Sequence, residues 1–151
     1  MKYLALLRGI NVGGKNTVSM ARLKTALEEV GFRNVLTYIN SGNVIFESGE
    51  KNIEKVTKYF EDEMLTTFKL GLRVVIITDN HLNQVLKNVP KEWKKENNLR
   101  RYIAFVRKPV MAKEVVEVTK PREGVDSVKV GDGVFYLTTK MEGLTKSGFT
   151  S

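Results

Sequence analysis

Arg8-Gly9-Ile10-Asn11-Val12-Gly13-Gly14-Lys15 packs three glycines, an amide and two cations into one short run. Glycine lets backbone N–H groups turn toward an anion, and arginine and lysine add positive charge. From Gly9 to Asn16 the run fits the phosphate-binding pattern G-x4-G-K-[ST] in all but its last position, where Asn16 replaces the hydroxyl that would hold Mg2+. Arg73–Thr78 followed by Asp79 also looks like the apolar, Asp-ending strand that accompanies such loops. Two features oppose a nucleoside triphosphatase. The next helix begins near Ser19, too late to aim its N-terminus at a phosphate, and a hairpin over 35–46 does not belong in a parallel nucleotide-binding sheet. The competing reading is a structural turn whose glycines supply positive φ.

Other reactive residue types are thinly supplied. Ser41 has no His or Lys near it in sequence, which leaves a nucleophile role unsupported. His81 is the sole histidine, so His-rich metal sites are excluded within one chain, and it reads as a solvated helix residue. Glu61-Asp62-Glu63 falls on the polar side of a long helix and reads as a solvated acidic face. Trp93, in a Lys/Glu-rich stretch, suits either a partner contact or packing at a core edge. The absence of cysteine excludes disulfides, thiolate metal sites and cysteine nucleophiles, and points to the cytoplasm. No catalytic residue can be assigned, and neither a metal nor a cofactor is expected.

The net charge is +8. Its densest run is Lys91, Lys94, Lys95, Arg100, Arg101, Arg107 and Lys108, interrupted by Glu92 and Glu96. Such a run reads either as a solvated basic loop or as a nucleic-acid-binding surface. An RNA-recognition sheet would need free aromatics on its first and third strands. Tyr3 and Phe46 are available, but Leu4 and Leu6 alternate with Tyr3, Ala5 and Leu7, and a strand apolar on both faces is expected to be covered on both. The N-terminus has five apolar residues in a row, Tyr3–Leu7, too few for a signal peptide or a membrane span.

These residues must be positioned by the elements around them. Lys2–Leu7 reads as a strand. A helix capped by Ser19 carries Met20, Leu23, Leu27 and Val30 on one face and stops at Gly31. Val35–Asn40 and Asn43–Phe46 form a hairpin around a two-residue Ser41-Gly42 connection. A long helix follows with Ile53, Val56, Phe60, Met64 and Phe68 at spacings of three and four, ended by Gly71, and Arg73–Thr78 is a buried strand. Asp79 caps a short helix bearing Leu82, Val85, Leu86 and Val89. Leu99–Val106 is a strand, Pro109 opens a helical segment to about Thr119, and Val128–Val130 and Val134–Leu137 flank a second hairpin at Gly131-Asp132-Gly133.

The fold class expected is α+β. Residues 1–78 spell a ferredoxin-like β-α-β-β-α-β half, 79–98 a connecting helix and basic loop, and 99–151 a second ferredoxin-like half, incomplete at its C-terminus. Tyr3-Leu4-Ala5-Leu6-Leu7-Arg8 is echoed by Tyr102-Ile103-Ala104-Phe105-Val106-Arg107, and Asn43-Val44-Ile45-Phe46 by Gly133-Val134-Phe135-Tyr136, which suggests an internal duplication. The second half should then leave its first strand at an open edge and one sheet face without a covering helix, which is expected of either a longer natural protein cut off here or a homodimer that covers the gap. In a sheet of order 4-1-3-2 the first βα loop, the hairpin tip and the start of strand 4 share one end. Arg8, Gly9, Asn11, Gly13, Gly14 and Lys15, then Asn40, Ser41, Gly42 and Asn43, then Arg73 converge there as a candidate site for an anionic small molecule.

ALLRGINVGGKNTVSMARLKTALEEVGFRNVLTYINSGNVIF, residues 5–46, resembles the signature of a bacterial family known only as a domain of unknown function. Its members open with LLRGINVGG, continue through a V-x-M-x-x-L helix and close with TY-x-x-SGN-V-x-F. The resemblance, weaker through the VFYLTT hairpin, covers essentially the whole chain. It implies an α+β fold of two ferredoxin-like halves and no particular reaction, and it emphasises Arg8, Gly9, Asn11, Gly13, Gly14, Ser41, Gly42 and Asn43. Family members usually continue past a K-S element like Lys146-Ser147 to an Arg-Asn-Trp-like motif, which this sequence does not reach.

Overall fold

The computed structural model describes residues 1–40 and 42–149. The chain divides into two compact units, Met1–Leu82 and Asn83–Ser151. It is a mixed α+β protein with one sheet in each unit.

The first unit runs β1 (Lys2–Leu6), α1 (Met20–Glu29), β2 (Arg33–Tyr38), β3 (Asn43–Glu47), α2 (Ile53–Phe68) and β4 (Val75–Thr78). Its sheet has the order β2-β3-β1-β4, with every neighbouring pair antiparallel. Tyr3, Ala5, Val44 and Phe46 point to the side on which α1 packs Leu23 and Leu27 and α2 packs Val56, Phe60 and Met64. Phe46 is the hub, with ring centroids 5.6 Å from Tyr3, 4.6 Å from Phe32 and 5.7 Å from Phe60. Burial of each such ring stabilises the unit by roughly 1.5–3 kcal/mol. On the opposite face Leu36 is 61%, Tyr38 66% and Ile45 37% exposed. Strand β1 is thus buried on its helix side while Leu4 and Leu6 are only half-buried, which corrects the expectation of cover on both faces.

Capping explains where the helices start. Ser19 accepts a hydrogen bond from Arg22 N, and Asn52 accepts from Glu54 N and Lys55 N. Lys69 in the left-handed conformation (φ 58°), not Gly71, terminates α2. Glu61, expected to be solvated, instead accepts from Val74 N at 2.9 Å and ties α2 to the segment before β4. The hairpin β2–β3 closes at Tyr38 and Asn43, so four residues connect the strands rather than two. Helix α3 (Asp79–Lys87) follows directly on β4, and Thr78 Oγ1 accepts from His81 N, the capping task expected of Asp79.

The second unit holds β5 (Leu99–Phe105), α4 (Ala112–Thr119), β6 (Asp126–Val130) and β7 (Val134–Lys140), in the antiparallel order β5-β7-β6. Both faces of its central strand are covered. Ala112, Val115 and Val116 of α4 pack with Phe135 and Leu137. Val85 of α3, Val89 and Trp93 pack with Val134 and Tyr136 on the other face. The expected bare face is therefore absent, because a helix that precedes β5 in sequence supplies the cover. Pairing Tyr3 with Phe46 and Tyr102 with Leu137 sets Asn43 in register with Val134, one residue later than the Gly133 expected from the sequence echo. Among the described residues no helix is long and apolar enough to cross a membrane.

Candidate functional site

The strand registers set which loops share an end. Leu6 at the end of β1 lies opposite Asn43 at the start of β3 and Val75 at the start of β4, and Tyr38 at the end of β2 also lies opposite Asn43. The Arg8–Lys15 loop, the 39–42 connection and Arg73 accordingly leave the first sheet at the same end. Ser41 lies outside the described residues.

Within the Gly-rich loop the chain makes a small ribbon. Asn11 N donates to Asn16 O at 3.1 Å and Lys15 N to Val12 O at 3.0 Å. Gly13 (φ 57°) and Gly14 (φ 73°) form its tip, and two consecutive positive φ values are those of a type I′ turn. This is not a phosphate loop leading into a helix, because α1 starts only at Met20. Ile10 is buried and roots the ribbon in the core.

Asn11 is the clasp. Its Oδ1 accepts from Val18 N at 2.7 Å, and its Nδ2 donates to Val18 O and Asn40 O, both at 3.0 Å. That amide fixes the two loops to each other and is engaged by backbone. Asn16 Nδ2 donates to Gly9 O at 2.8 Å, closing the base of the ribbon. Gly42 (φ 91°) accepts from Leu7 N at 2.9 Å. A Cβ there would lie 2.8 Å from Leu7 Cβ and 2.9 Å from Ile10 Cδ1, so the close approach of loop and hairpin demands glycine. Asn40 contributes its carbonyl and Asn43 a ladder position in β3.

Cations and apolar side chains stand among the solvent-facing residues of these loops, beside the exposed Asn16, Thr17 and Asn40. Arg8, Lys15 and Arg73 are exposed, and none is in an ion pair among the described residues. Three residues that sequence reasoning passed over stand at the same end: Val12 (66% exposed), Tyr38 and Ile39 (59%). Ile39 has φ 49°, a conformation that a β-branched residue adopts at a cost of about 1–3 kcal/mol. No sequence signal marks it, since isoleucine is among the residues least expected there. The side chains gathered at this end include two guanidinium groups, an ammonium group, amides and exposed apolar groups.

The basic 91–108 region is arranged differently. Lys91 and Lys94 ride on a 3-10 turn, Lys91–Lys94, and Arg100 and Arg101 on β5. The Arg101 guanidinium donates to Glu96 O, and Arg100 lies 5.7 Å from the ring of exposed Tyr102. Trp93 packs at a core edge: its Nε1 donates to Thr138 Oγ1 at 2.6 Å and its ring meets Tyr136 edge-on. A surface hollow of about 350 Å3 lies among Glu96, Asn98, Leu99, Lys140 and Glu142. Its two carboxylates make it a poor anion site. Among the described residues no three Asp, Glu or His side chains are grouped as metal ligands would be.

One titratable group is held firmly. Burial pushes the Asp126 carboxyl up, but hydrogen bonds from Arg122 N, the Ser147 hydroxyl, Gly148 N and Thr139 Oγ1 outweigh it and bring its pKa below the ordinary value. It joins β6, β7 and the segment after the 3-10 turn Met141–Lys146, a structural role.

The chain belongs to a family described as a protein of unknown function (DUF1697), whose model matches residues 1–136. It is similar in structure to the conserved bacterial protein SP0830 from Streptococcus pneumoniae, with 27% sequence identity and a TM-score of 0.83 over 98% of this chain and 82% of that one. No curated protein matches the sequence.

Proposed function

We propose that this member of the DUF1697 family binds a phosphate-bearing small molecule or another anion at the end of the first sheet formed by Arg8–Lys15, the 39–42 connection and Arg73. The observation that carries the reading is the presence there of Arg8, Lys15 and Arg73, exposed and outside any ion pair among the described residues, with the Gly-rich loop of Arg8 and Lys15 held to Asn40 by the Asn11 clasp. A pre-ordered loop loses little entropy on binding, so the charge-assisted hydrogen bonds are not offset by ordering the backbone. Glycines at the ribbon tip let a ligand approach the backbone closely. Titration calorimetry with inorganic phosphate, pyrophosphate and nucleoside phosphates tests this. Arg8→Ala should weaken binding by about 1–3 kcal/mol, the range of a hydrogen bond to a charged group. Unchanged binding in that variant removes Arg8 from the site, and absence of heat with every anion removes the proposal.

We also read the two units as two ferredoxin-like halves of one duplication. In support, β1, α1, β2 and β3 follow one another as β5, α4, β6 and β7 do, with the matching spatial orders β1-β3-β2 and β5-β7-β6. Leu7 N donates to Gly42 O where Val106 N donates to Gly133 O. The absence of cysteine agrees with a reducing compartment, and we assign the protein to the cytoplasm.

A further inference from the structure

The cations at this end of the first sheet share a face with an exposed aromatic ring. Along the line of β1, Tyr3, Ala5 and Leu7 belong to the helix-side core, and along the line of β4 so do Leu72, Val74 and Ile76. Leu7 N donates to Gly42 O, so the ladder runs on past the end of β1. Side chains alternate between the faces of a sheet. Arg8, one step past Leu7, and Arg73, between Leu72 and Val74, therefore fall on the face away from the helices. Tyr38 is on that face too, since it pairs with Asn43, whose neighbour Val44 is in the core. The register sets Tyr38 of β2, Asn43 of β3, Leu6 of β1 and Val75 of β4 in one row across the sheet. Arg8 and Arg73 lie one pleat beyond Leu6 and Val75. With neighbouring strands roughly 5 Å apart, β2 with Tyr38 runs about 10 Å from the line that leads to Arg8. Among the aromatics of this sheet, Tyr3 and Phe46 are buried and Tyr38 is exposed.

We propose that the ligand of this end is a nucleoside diphosphate, with its phosphates on Arg8 and Arg73 and its base laid on the ring of Tyr38; this rests on the anion reading given above. Charge selects the occupant. The two guanidinium groups stand on the β1–β4 side of the face, and exposed Leu36, Tyr38 and Ile45 on the β2–β3 side. A matching molecule is anionic at one end and flat and apolar at the other. Guanidinium forks meet phosphate oxygens in pairs. A separation of about 10 Å between ring and cation is one that a ribose and two phosphates bridge. Inorganic phosphate or pyrophosphate held by the arginines would leave Tyr38 uncovered. An exposed tyrosine ring offers a π-face on which any base stacks, so the geometry points to the nucleotide class without choosing the base.

The test is titration calorimetry on the whole chain with the ribonucleoside diphosphates and with pyrophosphate. The best diphosphate should bind at least about tenfold more tightly than pyrophosphate. Tyr38→Ala should weaken that diphosphate about tenfold and leave pyrophosphate unchanged, which also shows that the variant is folded. Tyr38→Phe, which keeps the ring, should stay within about twofold of the parent. Arg73→Gln should weaken diphosphate and pyrophosphate alike, by about tenfold. In NMR spectra the protons of the base should move upfield on binding, and Tyr38→Ala should abolish that shift. Pyrophosphate binding as tightly as every diphosphate, or Tyr38→Ala leaving the diphosphate unaffected, overturns the nucleotide assignment and leaves the anion reading standing. Absence of heat with all of these anions overturns both. The assignment also falls if a single-stranded oligonucleotide or vesicles of phosphatidylserine bind where no mononucleotide does, or if light scattering finds a dimer that Tyr38→Ala dissociates.

Discussion

Replacing Asn11 by alanine removes three hydrogen bonds at one residue, those with Val18 N, Val18 O and Asn40 O. At a net 0.5–1.5 kcal/mol each, the bonds account for about 1.5–4.5 kcal/mol. Asn11 also has φ 54°, where alanine is less favourable by roughly 1 kcal/mol. Asn16 offers an internal reference, because it has φ 50° but one side-chain bond, to Gly9 O. Asn16→Ala carries the same conformational penalty and loses a single exposed hydrogen bond. The difference between the variants isolates the clasp, at about 1–3 kcal/mol in favour of Asn16→Ala. Urea unfolding followed at the Ala5 and Val44 amides by NMR reads the first unit directly. With an m-value of about 1 kcal/mol/M the midpoints should differ by about 1–3 M. Equal midpoints for the two variants would mean that the Asn11 side chain does not hold the loops together. Asn11→Gly, which relieves φ, should recover only about 1 kcal/mol; full recovery would assign the effect to backbone strain alone.

Gly42→Ala combines φ 91° with a Cβ 2.8 Å from Leu7 Cβ, and should destabilise the first unit by about 2–4 kcal/mol. Gly13→Ala, with nothing within 4 Å, should lose only about 1 kcal/mol; a larger loss at Gly13 in the same urea experiment would contradict the packing argument. The lowered pKa of Asp126 means that its stabilisation is fully present above the ordinary carboxylate range near pH 4 and is lost as pH falls through its folded value. Asp126→Asn should therefore flatten the acid dependence of Trp93-monitored unfolding below about pH 4, and curves of equal slope for both proteins would refute it.

Much of the scaffold was legible because it is local. Ser19 announces the start of α1, the three-and-four spacing of Val56, Phe60 and Met64 announces α2, and the order of elements fixes which loops meet. Roles that depend on distant partners were not. Asn11 carries the residue type of a ligand contact, yet Asn40, far along the chain, makes it a clasp. Glu61 looks solvated until Val74 N is placed beside it. Lys69 ends α2 in a left-handed conformation two residues before the glycine that pattern favours, and Ile39 stands at positive φ against its own preference. For Asn11 and Glu61 a partner distant in sequence decides the role that residue type alone left open.

The two sheets show how small side-chain differences change what a shared connection presents. Leu4, Leu6, Asn43 and Ile45 of the first sheet occupy the register positions of Ile103, Phe105, Val134 and Tyr136 of the second. In the second, valine and tyrosine stand at the register positions where the first has asparagine and isoleucine, and the tyrosine ring reaches across the layer. Tyr136 OH donates to Val85 O at 2.7 Å, a buried bond that anchors the turn of α3 lying over the sheet, while Trp93 packs edge-on against the same ring. Apolar burial brings helix and sheet together without direction; the hydroxyl gives the helix a register. Ile45 has no polar tip to do this and stands 37% exposed. One residue class at one ladder position thus accompanies the difference between a sheet face closed by its own unit and one that keeps leucine, isoleucine and tyrosine in view of solvent.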